Sequence, residues 1–184
     1  MPKRSLVTRA LIALLAGLPV LAHVLWEYFH GGITAHHLLA RQDLPAISNG
    51  WGLLTIPVLA FYALWRVEKR TGKKTKNAIT EPPVVIGFLL ALALGIFLAS
   101  LWEFGLADFM PFVLFSPLAL AFFLPVYRAE CLLGFVMGLT YTFGGVLPIF
   151  IGVLLCILSY IIYRLVRAGL RLASERGSGD KQVD

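Results

Sequence analysis

The sequence predicts an all-α integral membrane protein, one bundle of about six transmembrane helices, and three observations predict it. About 59% of the residues are apolar and 14% charged, with a mean hydropathy of +0.82, far from the roughly half-apolar, quarter-charged mix of a soluble domain. The apolar residues gather into stretches near the roughly twenty that a bilayer core requires. The basic residues fall on alternate connections between those stretches, as a polytopic chain demands. At 184 residues the chain holds one bundle and no sizeable soluble domain.

The polytopic region is expected over residues 1–167, followed by a basic and polar tail over 168–184. The first span is Leu6 to Phe29. Basic residues, an apolar run and Val20-Leu21-Ala22 resemble a cleavable signal peptide, but the apolar stretch continues to Phe29, longer than a signal core, so the segment is expected to remain as a span. A shorter second span runs over 51–65. The third, 83–102, begins after Pro82-Pro83, a pair suited to a helix start, and the fourth covers 109–127. The apolar stretch from Cys131 to Tyr163 breaks at Gly144-Gly145 and Pro148, which predicts two tightly connected helices over 131–146 and 148–166. Cys131 and Cys156 fall at different expected depths, so no structural disulfide is expected between them.

Six spans with a cytoplasmic amino terminus put fifteen of the sixteen basic residues on one side, leaving only Arg41 outside. An odd number of spans would break that pattern, so both termini are expected in the cytoplasm of a bacterial inner membrane. The net charge of +6 then reflects topology and contact with anionic lipid headgroups. The run from Arg66 to Lys76 lacks interleaved aromatic residues and any nucleic-acid-binding module, so a nucleic-acid partner is not expected.

All four histidines, His23, His30, His36 and His37, fall in one fifteen-residue window at the exit of the first span. Ionisable groups near lipid depth are costly unless partnered, which makes this cluster the candidate functional site. His23, Glu27 and His30 are spaced four and three residues apart, so all three lie within about 60° on one helix face. Pro19, one turn earlier, removes a backbone hydrogen bond and can open the helix. Imidazole and carboxylate are ligands that zinc, iron and copper favour, and the His-x3-Glu-x2-His spacing offers two or three of them to one divalent ion. As a bland alternative, the same stripe is an interfacial cap whose polar ends reach water. Trp26, Trp51, Trp65 and Trp102 read mainly as an aromatic belt, and Gly134-x3-Gly138 as close helix packing.

Leu25-Trp26-Glu27-Tyr28 and Leu101-Trp102-Glu103-Phe104 each close a span at the same expected face. Read as an internal repeat, they make the first two helical hairpins parallel copies and bring Glu27 and Glu103 together. Asp108 adds a carboxylate on that side. Such a set can bind a metal, share a proton, or supply a general acid and base. The outer loop from Gly31 to Gly50 carries Thr34 to Arg41, readable as a short interfacial helix, followed by turn signals at Asp43-Leu44-Pro45 and Ser48-Asn49-Gly50. It is a candidate lid, with His36, His37, Arg41 and Asn49 facing a substrate.

The sequence contains no Gly-rich phosphate loop, G-x-S-x-G elbow or C-x2-C pair, which removes support for nucleotide hydrolysis and for serine or thiol esterase chemistry. The expected function is a metal-dependent membrane hydrolase or oxidoreductase acting on a lipid-soluble substrate. In it His23, Glu27, His30 and Glu103 would hold the ion, and Glu27, Glu103 and Asp108 would be the catalytic carboxylates. The rival is a small-solute or proton-coupled transporter, or a substrate-capture subunit, using the same residues. The third reading is a structural or assembly subunit of a membrane complex. Expected partners are membrane lipids, the lipid-soluble substrate or small solute, and a second copy or partner subunit.

Overall fold

The computed structural model of the protein describes residues 6–37, 46–71 and 78–179. Six helices follow one another: α1 Leu6–Phe29, α2 Gly52–Thr71, α3 Pro82–Glu103, α4 Met110–Leu120, α5 Ala129–Phe143 and α6 Val146–Gly179. Between α1 and α2 a two-stranded antiparallel hairpin pairs β1 (Ala35–His37) with β2 (Ala46–Ser48). Among the described residues, four segments are long and apolar enough to cross a membrane: Leu6–Phe29, Asn49–Thr71, Pro82–Glu103 and Val146–Leu172. Their outward faces are apolar, with Leu14, Leu90, Phe97 and Leu154 all exposed. An apolar surface of this kind is compatible with a membrane protein.

Several expected spans come out differently. The stretch over 109–127 is helical only from Met110 to Leu120, after which turns lead to Arg128. At 1.5 Å per residue those eleven residues reach about 16 Å, and the fifteen of α5 about 22 Å, against a hydrocarbon core of about 30 Å. Pro125 lies where a continuing helix would need an amide donor, and Ala121 to Leu124 turn before it. The second span is longer than expected, because charged residues continue α2 to Thr71, where Lys69 and Arg70 suit the helix carboxyl end. The 34 residues of α6 carry helix past 166 and well into the expected tail. Within the expected Thr34 to Arg41 helix, Ala35–His37 form a strand, and residues 38–41 lie outside the described residues. Gly31 and Gly32, with φ of 127° and 107°, make the reversal that lets it pair back toward the bundle.

Three helix pairs, α1 with α2, α2 with α5 and α3 with α5, stack with little space between them. α1 runs antiparallel to α2, Gly17 facing Pro57 and Val20 facing Gly52. α2 runs antiparallel to α5, with Gly52 against Gly145 at one end and Arg70 on Glu130 at the other. α3 runs parallel to α5: a Cβ at Gly95 would lie 2.6 Å from the Phe135 carbonyl, and one at Gly134 would overlap the Phe88 carbonyl. Gly87, Ala91, Gly95 and Ala99 recur every four residues, which is the small-residue stripe that lets two backbones touch. Ile56, Leu98 and Val136 lie at the centre of the core, each at most 1% exposed. The two hairpins are unlike, since α1 packs along α2 whereas α3 packs along α5 rather than α4. The basic ends gather at one pole: Arg9 pairs with Glu68 at 3.1 Å, Tyr127 packs between Tyr160 and Tyr163, and Arg164 and Arg167 lie over those two rings.

Candidate functional site

At the opposite pole, Glu27 sits in the last turn of α1 and is 7% exposed. Asn49, in the short turn that starts α2, donates from Nδ2 to Glu27 Oε1 at 2.8 Å and is itself buried. That turn is fixed locally: Ser48 Oγ accepts from the Gly50 amide at 3.2 Å, and the Asn49 amide donates to the Thr34 carbonyl at 2.9 Å. His23 lies one turn before Glu27, its Nε2 3.5 Å from Glu27 Oε1 and its ring 4.6 Å from that of Tyr141. Three buried atoms here have no hydrogen-bond partner among the described residues: Glu27 Oε2, Asn49 Oδ1 and His23 Nε2. Thr55 Oγ1, next to Gly145, is a fourth. Buried polar atoms are nearly always satisfied, by protein, water or ligand, and this group makes the pole a candidate site; the ion-paired Arg9 and Glu68 at the other pole each carry such an atom too, Nε and Oε1.

The helix pair that closes the site depends on two glycines. Gly144 ends α5 with φ 70° and ψ −178°, a conformation essentially restricted to glycine. A Cβ there would overlap Asn49 Oδ1, and one at Gly145 would come within 2.7 Å of Gly52 Cα. Gly144→Ala is therefore expected to push Asn49 off Glu27 and cost about 1–3 kcal/mol. A lowered thermal midpoint of the purified variant, set against wild type in the same detergent, checks it.

The stripe read from the sequence is only partly assembled. His30 follows Glu27 but sits where α1 leaves the bundle; it is exposed, its ring stacks on Trp26 at 4.6 Å and its Nδ1 lies 2.8 Å from the Trp26 carbonyl oxygen. Glu103 is exposed at the end of α3, where the neighbouring Trp102 packs on Phe143 at 5.4 Å, and it shares no hydrogen bond or ion pair with Glu27. Asp108 is exposed in the turn before α4. Among the described residues no three His, Cys, Asp and Glu side chains gather to hold a metal ion. For His36 and His37 the backbone is described, facing Ile47 and Ala46 across the hairpin; Arg41 lies outside the described residues.

Asn49 enters as the partner of the carboxylate rather than as a lid group, a role its spacing of 22 residues hid. A second buried carboxylate escaped notice altogether. Glu130, 3% exposed in the first turn of α5, receives both ends of the Arg70 guanidinium, Nη2 to Oε1 at 2.6 Å and Nη1 to Oε2 at 3.2 Å. The available signal was an acid opening an apolar helix, a position that needs a counter-ion when buried. Comparison with known proteins finds no matching family model, no matching curated protein and no matching solved structure.

Proposed function

We propose that the chain is a six-segment protein of a bacterial inner membrane, and that His23, Glu27 and Asn49 form the proton-exchange site of a small-solute transporter or substrate-capture subunit. One observation carries this reading. A buried carboxylate has one oxygen held by an amide and the other unfilled, with an imidazole nitrogen alongside. Buried charge needs a compensating partner, and a proton moving between Glu27 and His23, or a solute's donor group, supplies it. α1 and α2 each carry an internal proline, Pro19 and Pro57, about two turns along the helix from this contact, which suits helices that bend to open a site.

Infrared difference spectra of the reconstituted full chain between acid and alkaline buffer test the reading. The other nine acids contribute to the protonated-carboxyl region in both proteins, so the expected result is one component of that band present in wild type and lost in Glu27→Gln; identical spectra for the two proteins would sink the proposal.

A second reading keeps a metal-dependent hydrolase or oxidoreductase on a lipid-soluble substrate. What favours it is the hairpin, whose strand β2 runs directly into Asn49 and so draws the backbone of His36 and His37 toward the same pole. A catalytic zinc site keeps three protein ligands, and His23 and Glu27 supply two. Zinc, iron or copper at one equivalent in the purified chain, lost in Glu27→Gln, would favour this reading over the first.

The orientation rests on the clustering of basic residues at the pole of Arg9, Arg70 and Arg164. In a background lacking Cys131 and Cys156, a cysteine replacing Gln42 should react with an impermeant maleimide on intact cells, and one replacing Thr75 only after lysis. Labelling of position 75 from outside would reverse the topology.

A further inference from the structure

A cavity of about 590 Å³ lies between α3, α4, α5 and α6, at the pole opposite Glu27. That volume is inside the roughly 300–1,000 Å³ of small-molecule sites. Its shaft is apolar, walled by Leu90, Leu94, Phe135 and Leu155 among others. The polar groups along the shaft are few: Ser116, whose hydroxyl is already donated to the Val113 carbonyl at 2.7 Å, Ser159, and the free thiols of Cys131 and Cys156. Charge appears at one end only, where Arg128 and Glu130 reach the wall.

The charges at that end do not cancel. Glu130 is neutralised by the two-pronged Arg70 contact, whereas Arg128 makes no ion pair among the described residues. Arg128 also opens α5, where the helix dipole adds positive potential. Arg164 and Arg167, over the tyrosines that flank Tyr127, lie at the same pole. The site is thus an apolar shaft with a cationic mouth, at the depth where the positive-inside arrangement places lipid headgroups.

We propose that this cavity holds one acyl chain of an anionic membrane phospholipid, with the phosphate of the headgroup on Arg128. The short α4 shapes that end: its eleven residues stop at Leu120, and the turn residues Leu124, Pro125 and Val126 line the cavity beyond it. A neutral apolar molecule would fill the shaft equally well but leave Arg128 without a counter-ion. The assignment is independent of the proton-exchange reading, since it uses none of the Glu27 residues.

The delipidated full chain, titrated with short-chain phosphatidylglycerol or with phosphatidylcholine of equal chain length and read by native mass spectrometry, tests it. One phosphatidylglycerol per chain is expected, bound about tenfold more tightly than phosphatidylcholine because an Arg–phosphate contact is charge-assisted. Arg128→Gln should erase that preference while keeping binding. Leu90→Trp, at an exposed position on the wall, should weaken both lipids. In wild type, independently of whether either variant folds, phosphatidylglycerol should slow maleimide modification of Cys131 and Cys156. Equal affinity for the two lipids, unchanged thiol reactivity, or equal protection by glycerol phosphate alone would each overturn the proposal.

Discussion

Gly138→Val is expected to be the most damaging single substitution in the bundle, lowering stability by about 3 kcal/mol or more, at or above the upper end of ordinary overpacking penalties. A Cβ at this position would lie 2.6 Å from the Leu92 carbonyl oxygen and 2.8 Å from both Gly95 Cα and the Ile96 amide nitrogen. All of these are backbone atoms, which cannot swing aside as a side chain can. Relief requires α3 and α5 to separate along the stripe, taking Gly95 and Gly134 out of their own backbone contacts. Gly169→Ala provides the contrast: nothing lies within 4 Å of that position, so removing a helical glycine should stabilise by roughly 0.5–1 kcal/mol. Thermal unfolding of the two variants in one detergent decides. A Gly138→Val protein as stable as wild type would mean that α3 and α5 are not in backbone contact.

Glu27→Gln should separate function from stability. The glutamine carbonyl can still accept from Asn49 Nδ2, and the substitution removes a charge from a site that is 7% exposed, so the variant is expected to unfold at or above the wild-type temperature. It cannot carry a proton, so exchange at the site should vanish. Glu27→Ala differs, because it leaves Asn49 Nδ2 buried without its acceptor and should lose about 1–3 kcal/mol. His36→Ala, on the hairpin, should change either quantity less than Glu27→Gln changes proton exchange. The measurement pairs unfolding temperature with the infrared carboxyl band for all three proteins. Loss of the band in His36→Ala but not in Glu27→Gln would move the active group from the helix to the hairpin.

Hydropathy and punctuation made much of the bundle legible. The limits of α1 and α3, the proline pair that opens α3, and the break between α5 and α6 at Gly144-Gly145 all follow from local residues. α4 did not, because Met110 to Tyr127 is apolar throughout and hydropathy records transfer into lipid rather than continuity of hydrogen bonds. The hairpin over 35–37 and 46–48 was equally hidden, since its pairing is set by the Thr34 to Asn49 bond across the loop. At the site, the His23 and Glu27 spacing was readable because both sit on one helix. Their neighbours Asn49, Tyr141 and Gly144 come from elsewhere in the chain, and periodicity carries no information on contacts between helices. The tryptophan-glutamate echo at 26–27 and 102–103 misleads for the same reason: identical local sequence meets a partner helix turn at Glu27 and open surface at Glu103.

The two buried carboxylates also impose an order of assembly. A nascent chain emerges amino terminus first, and Asn49 follows Glu27 by only 22 residues, while Arg9 and Glu68 both belong to the same first hairpin. That hairpin leaves the ribosome carrying its own counter-groups. Glu130 instead meets an arginine made 60 residues earlier, so in amino-to-carboxyl synthesis its counter-ion always precedes it. A permuted chain that delivered α5 before α2 would send an unpaired acid into an apolar environment, and its yield of inserted protein should fall accordingly.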